Sequence, residues 1–163
     1  MAVVASGWLS LALENLRTLL AACPSFQTWV GAADAAAAKA RIHRVSKAGP
    51  TRPFALVDQW TDASATAFAG GAGESFTHSG SQILRFEGEV SEQDSDEPAD
   101  AFYTFWNAVG AIILEMEQLS GTDGYLVVRS IMLEDGPFRS KDFEGEADDY
   151  YYADFVVEWG PGR

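Results

Sequence analysis

The sequence predicts an α+β fold: a mainly antiparallel sheet, two principal helices packed on one face of it, and long projecting loops. Three observations predict it. Apolar residues recur at three and four residues in two stretches, one near the N-terminus and one over Pro98–Leu119. Short β-prone runs follow each of them, and the last, Tyr150–Trp159, alternates strictly. Between these runs lie Thr61–Gly80, rich in Ala, Gly, Ser and Thr, and the polar Glu134–Asp149, neither with a period of its own.

The first helix is expected from Ser6 as N-cap to about Ala22, stopped by Pro24. Leu9, Ala12, Leu13, Leu16, Leu19, Leu20 and Cys23 form its apolar face. Ser25–Val30 reads as a short helical turn or an irregular link. Asp34 can cap a short helix, Ala35–Arg41, whose alanines permit close backbone approach, so tight packing on a neighbour is expected. Ile42–Val45 can begin a strand, Lys47–Pro53 is a turn by its glycine and prolines, and Phe54–Trp60 reads as a strand. Ser81–Val90 alternates as a strand. The acidic Ser91–Ala99 leads into the second principal helix, where Ser95 or Asp96 can cap and Pro98 is tolerated in the first turn. Phe102, Phe105, Trp106, Val109, Ile112, Ile113, Met116 and Leu119 make that helix's apolar face, and Gly121 ends it. Tyr125–Leu133 reads as a strand, Gly136-Pro137 as a turn inside the second long loop, and Tyr150–Trp159 as the final strand. No internal repeat or Pro- or Ser-rich linker marks a boundary, so a single domain over 1–163 is expected.

An apolar fraction of 47% is enough for a real core. The net charge of −13 is unevenly spread: residues 1–60 balance at +3 and residues 61–163 at −16. An excess of acid this large argues against a nucleic-acid partner, because phosphate binding works by lysine and arginine displacing counterions. Asymmetry between the halves points to an interaction surface. Cys23 is the only cysteine, so no internal disulfide forms. Among apolar neighbours it reads as a buried, inert thiol. The opening Met1-Ala-Val-Val-Ala-Ser-Gly-Trp8 lacks a basic region, so it is not expected to be a signal peptide, and no apolar run approaches the ~20 residues that cross a bilayer.

Catalytic and metal motifs are absent. Neither His43 nor His78 has a second ligand at metal spacing, and neither His-x-x-x-His nor Cys-x-x-Cys occurs. Gly70-Gly71-Ala72-Gly73 lacks the Gly-Lys-Ser/Thr of a phosphate loop. Asp148-Asp149 and Glu144-x-Glu146 are the densest carboxylates, without the spacing of a calcium loop. No cofactor, metal site or enzymatic activity is expected. Tyr150-Tyr151-Tyr152 alternates faces, so at least one ring points away from the core. Such rings suit a half-buried strand or an interface.

Two stretches carry a family likeness. One is Phe26-Gln-Thr-Trp-Val-Gly-Ala-Ala-Asp34 with Ala40-Arg-Ile-His43 and Arg52-Pro-Phe-Ala-Leu-Val57, and the other is the closing Ala153-Asp-Phe-Val-Val-Glu-Trp-Gly160. With the order of elements, they resemble the tail terminator and head–tail joining proteins of long-tailed phages and prophages. The resemblance implies a non-enzymatic virion protein that forms a ring, expected to be a hexamer, caps the tail tube protein and contacts the head–tail connector protein. It implies assembly in the host cytoplasm, then residence in the tail, with no membrane partner. Contacts in that family are made by loops and sheet edges, which makes Phe76, His78, Glu144, Glu146, Asp148, Asp149, Tyr150 and Tyr152 the candidate assembly interface. The reading from a different class is a small cytoplasmic ligand-binding or regulatory module with a pocket beside Trp106, between the second principal helix and the sheet.

Overall fold

The computed structural model describes residues 8–44, 50–57, 80–90, 98–140 and 148–160. In chain order these form α1 (Trp8–Ala22), α2 (Pro24–Trp29), α3 (Ala35–Lys39), β1 (Ile42–His43), β2 (Phe54–Val57), β3 (Gly80–Glu89), α4 (Pro98–Leu119), β4 (Val128–Arg139) and β5 (Tyr150–Trp159). The expected caps at Ser6 and at Ser95 or Asp96, the end of the second strand at residues 58–60, the Gly-rich loop before Gly80 and the acidic run at residues 91–97 lie outside the described residues.

One five-stranded sheet runs β1-β2-β3-β5-β4. Only β1 and β2 pair in parallel and the other pairs are antiparallel, so the fold is α+β with a mostly antiparallel sheet. Strict alternation in β5 puts Tyr151, Ala153, Phe155, Val157 and Trp159 on the inner face, all buried. In register beside them on β3 stand Gly88, Phe86, Leu84, Gln82 and Gly80, so a glycine lies opposite each of the two large rings at the ends. A Cβ on Gly88 would stand 2.6 Å from the Phe105 ring, so the absence of a side chain there lets α4 settle onto the sheet. Gln82 is fully buried on this face, and its amide makes no hydrogen bond among the described residues. Nothing in the structure explains a polar residue there.

The helices cover the inner face. Leu16, Leu19 and Leu20 of α1, Phe26 of α2 and Phe105, Val109, Ile112 and Met116 of α4 join the strand residues in one core cluster. Each such side chain contributes roughly 1.5–3 kcal/mol on burial. Rings interlock through the centre: Trp29 meets Phe86 edge-on, Phe86 meets Phe155 edge-on, and Trp106 stacks on Phe155 at 6.2 Å. Phe105 stacks on Tyr151 at 5.8 Å. The α4–sheet space beside Trp106 is therefore filled by rings. Glu115 of α4 accepts from the Ser25 N–H (2.8 Å) and hydroxyl, supplying α2 with the N-terminal acid that its own Cys23 N-cap does not provide.

Of the two readings of Ser25–Val30 the helical one holds, because Pro24 opens a helix whose Phe26 is fully buried. Two expectations are corrected. The alanine helix is shorter than expected, ending at Lys39, and it meets its neighbour α1 along a narrow face. Of its alanines only Ala38 is buried, since so short a helix turns one position inward. It is held as well by Asp34, which accepts from Ala37 N–H at 2.8 Å, and by Arg17, which donates to Lys39 C=O at 3.0 Å. Finally, the fourth strand begins at Val128 rather than Tyr125 and continues to Arg139, so Gly136-Pro137 lies inside a strand rather than in a loop turn. Register shifts between Val128 and Ser130, Leu133 and Asp135, and Asp135 and Phe138 absorb the irregularity. Gly136 takes φ +96°, and Pro137 is tolerated because an edge strand does not need every donor.

Candidate functional site

The outer face of the sheet carries a lattice of arginines, carboxylates and tyrosines, because the residues that alternate with the core positions of β3 and β5 are Arg85, Glu87, Tyr150, Tyr152 and Asp154. Arg85 forks onto Asp154 through two 2.7 Å hydrogen bonds and stands 4.8 Å over the Tyr152 ring. The bond to Asp154 comes first among the causes that raise the Arg85 guanidinium above its ordinary range. Arg52, just before β2, bonds Glu87 at 3.1 Å and lies 3.9 Å over the Tyr150 ring. Burial pushes the Glu87 carboxyl above the ordinary glutamate range, against the opposing pull of Arg52 and Arg85. Glu87 and Asp154 are each only 8% exposed, which is tolerable because each has an arginine partner.

Four of the sequence-predicted site residues come together at this face. Asp149 receives a fork from Arg139, at 2.8 and 2.6 Å. Asp148 is exposed and sits 3.9 Å from Arg52. Tyr150 and Tyr152 point outward with ring centroids 6.0 Å apart, while Tyr151 is buried under α4. Ser140 accepts from Tyr150 N–H at 2.8 Å and donates to Asp148 C=O at 2.6 Å, tying the two ends of the Arg139–Tyr150 connection together. Phe76, His78, Glu144 and Glu146 lie outside the described residues.

Four exposed apolar side chains escaped the sequence reading. The large hydrophobic residues that stand exposed among the described residues are Tyr103 (59%), Leu114 (55%), Met132 (51%) and Leu133 (47%), all on α4 and β4. The signal was present: residues 101–114 of α4 contain no charged side chain, although the outer face of a surface helix ordinarily carries charge.

Among the described residues, Cys23 and His43 are both engaged within the fold. Cys23 is fully buried, its thiol donates to Leu19 C=O at 3.4 Å, and burial first and Glu115 second push it up to about 12. The His43 ring lies edge-on to Phe54 at 5.3 Å. Among the described residues no group of three or more His, Cys, Asp or Glu is placed to hold a metal ion, and no helix is long and apolar enough to cross a membrane. No protein-family model matches the chain, and no curated protein matches it either.

Proposed function

We propose that this chain is a non-enzymatic assembly component of a long-tailed phage or prophage, of the tail terminator or head–tail joining kind. On this reading it caps the tail tube as a ring and offers a surface to the head connector. The observation that carries the assembly reading is the exposure of Tyr103 and Leu114 on α4 and of Met132 and Leu133 on β4, the strand at one edge of the sheet. Large apolar side chains left in water are what a protein contact buries. The tail-specific part rests on the resemblance of the Phe26–Val57 and Ala153–Gly160 stretches. The filled core supports it too, since the ligand-binding alternative needs a cavity where the Phe155 ring lies against Trp106.

The test is electron microscopy of particles from an induced host in which this gene is disrupted. Overlong, headless tails are expected, because tube growth loses its stop. Separate heads and tails of normal length would move the protein to the joining step, and normal virions would overturn the reading.

A further inference from the structure

We infer that Ser130–Leu133 of β4 takes up an extended segment of a partner protein as an added strand, one in which lysines or arginines alternate with apolar residues. This deepens the assembly reading, on which it rests for Met132 and Leu133 being a contact surface, and it does not depend on a tail. The two edges of the sheet differ. At one edge β1 is two residues long, too short to template another strand. At the other, β4 runs over Val128–Arg139 and is blunted at both ends. At its start the Ser120 hydroxyl accepts from Val128 N–H at 2.7 Å and donates to Val128 C=O at 3.2 Å. Further on, the register shifts after Leu133 and again after Asp135, and Pro137 has no N–H to offer. Between these ends Ser130–Leu133 keeps unbroken register with β5 and carries none of those devices. Met132 is 51% exposed on one face of the strand and Leu133 47% on the other, so nothing among the described residues lies over either side of this stretch.

Alternation along β4 gives the occupant its chemistry. Ile131 and Leu133 stand opposite the inner-face residues Val157 and Phe155, so a neighbour on that face meets apolar side chains. Met132 and Asp135 stand opposite Val156 and Asp154 on the outer face. On that face Glu158 accepts from the Ser130 hydroxyl at 2.8 Å and remains exposed. Glu134 and Asp135 are exposed just beyond Leu133, and Asp123 is exposed in the turn before the strand. Against these carboxylates β4 sets one exposed base, Arg129, at its first register shift. The outer face therefore offers a methionine flanked by carboxylates. A lysine or arginine suits both parts, because its stem can lie along Met132 while its head reaches a carboxylate. A second copy of β4 is the poorer occupant, since it brings the same excess of acid to the contact.

The test uses the full chain and fluorescein-labelled peptides of about eight residues: alternating lysine and valine, alternating glutamate and valine, and the lysine peptide with a proline at its centre. Fluorescence anisotropy gives the affinity, and amide hydrogen exchange read by NMR gives the place. The lysine peptide is expected to bind saturably and to slow exchange within Ser130–Leu133. The glutamate peptide is expected not to bind. The proline peptide keeps the charge but breaks the ladder, so it is expected to bind roughly tenfold or more weakly. The double substitution Glu134→Lys, Asp135→Lys, with an unchanged melting temperature, should weaken the lysine peptide by a similar factor. The proline control needs no variant, so the test stands even where the substitutions disturb folding. No binding of the lysine peptide would overturn the contact. Binding without protection at Ser130–Leu133, or equal binding of the proline peptide, would overturn it too, leaving only a general attraction of cations to an acidic protein. Protection of these amides that grows with the concentration of the protein alone would give the edge to a second copy instead. The two proposals fail separately: no peptide binding with overlong tails on gene disruption removes this contact and keeps the tail reading. Binding with protection and normal virions does the reverse.

Discussion

On the inner face of β3 and β5 the neighbours are Phe86, Leu84, Ala153, Phe155 and Val157, buried against helices. On the outer face of the same strands they are Arg85, Glu87, Tyr152 and Asp154. The strands are common to both, and alternation separates two kinds of cohesion a side chain apart. Inside, stabilisation scales with the apolar area removed from water and depends little on direction. Outside, it depends on geometry, because Arg85 serves Asp154 through a fork and Tyr152 through its plane at once. Losing an inner side chain leaves a void, whereas losing an outer one strands a partner.

The largest effect expected from breaking this contrast is on the inner face. Ile112→Ala removes a fully buried side chain of α4 and should lower stability by about 2–5 kcal/mol, read from urea denaturation with an unchanged slope. A loss below about 1 kcal/mol would show that helix and sheet close over the gap, and that the inner face is softer than its interlocked rings imply.

Next in size is Arg85→Ala, with an expected loss of about 1–3 kcal/mol, most of it from leaving the Asp154 carboxylate buried without its fork. Arg85→Lys sharpens the comparison. It restores the charge but neither the two parallel hydrogen bonds nor the flat contact with Tyr152, so it should recover only part of the loss. Equal losses in the two variants would mean that charge alone contributes little and the outer face is held entirely by shape.

How far these faces were legible in the sequence depended on the period. In α4 and β5 apolar residues follow one period over many residues, so Pro98–Leu119 and Tyr150–Trp159 were readable together with the residues they bury. The fourth strand was not, because its bulges break the alternation and Gly136-Pro137 imitates a turn. The exposed alanines of α3 were misjudged because composition says which residues permit close packing, not which of them a short helix turns toward its neighbour. At the candidate site, alternation announced outward tyrosines at Tyr150 and Tyr152. The arginines over them come from β3 and from the residues before β2, and no local pattern joins Arg52 or Arg85 to a tyrosine so distant in sequence. Exposed Tyr103 and Leu114 lie off the apolar face that the helical period defines, and what marks their side is the lack of charge over residues 101–114, which a search for apolar periodicity passes over.

The smallest and most discriminating effect concerns Glu87, where the two kinds of cohesion compete in one side chain. Burial raises its carboxyl above the ordinary range and Arg52 at 3.1 Å pulls the other way. A raised folded-state value means that the native protein holds this proton more tightly than the unfolded chain does. The stability it contributes is present below the ordinary glutamate range and declines as pH rises through that range and past it, while the carboxylate forms in a buried place. Glu87→Gln keeps the shape and cannot ionise, so it lacks this decline. Unfolding free energies of the two proteins measured from acid to neutral pH should therefore give a wild-type-minus-variant difference that falls with rising pH. A difference that rises instead would mean that the Arg52 ion pair outweighs burial, and that the outer face is stabilised by its charges rather than merely tolerating them.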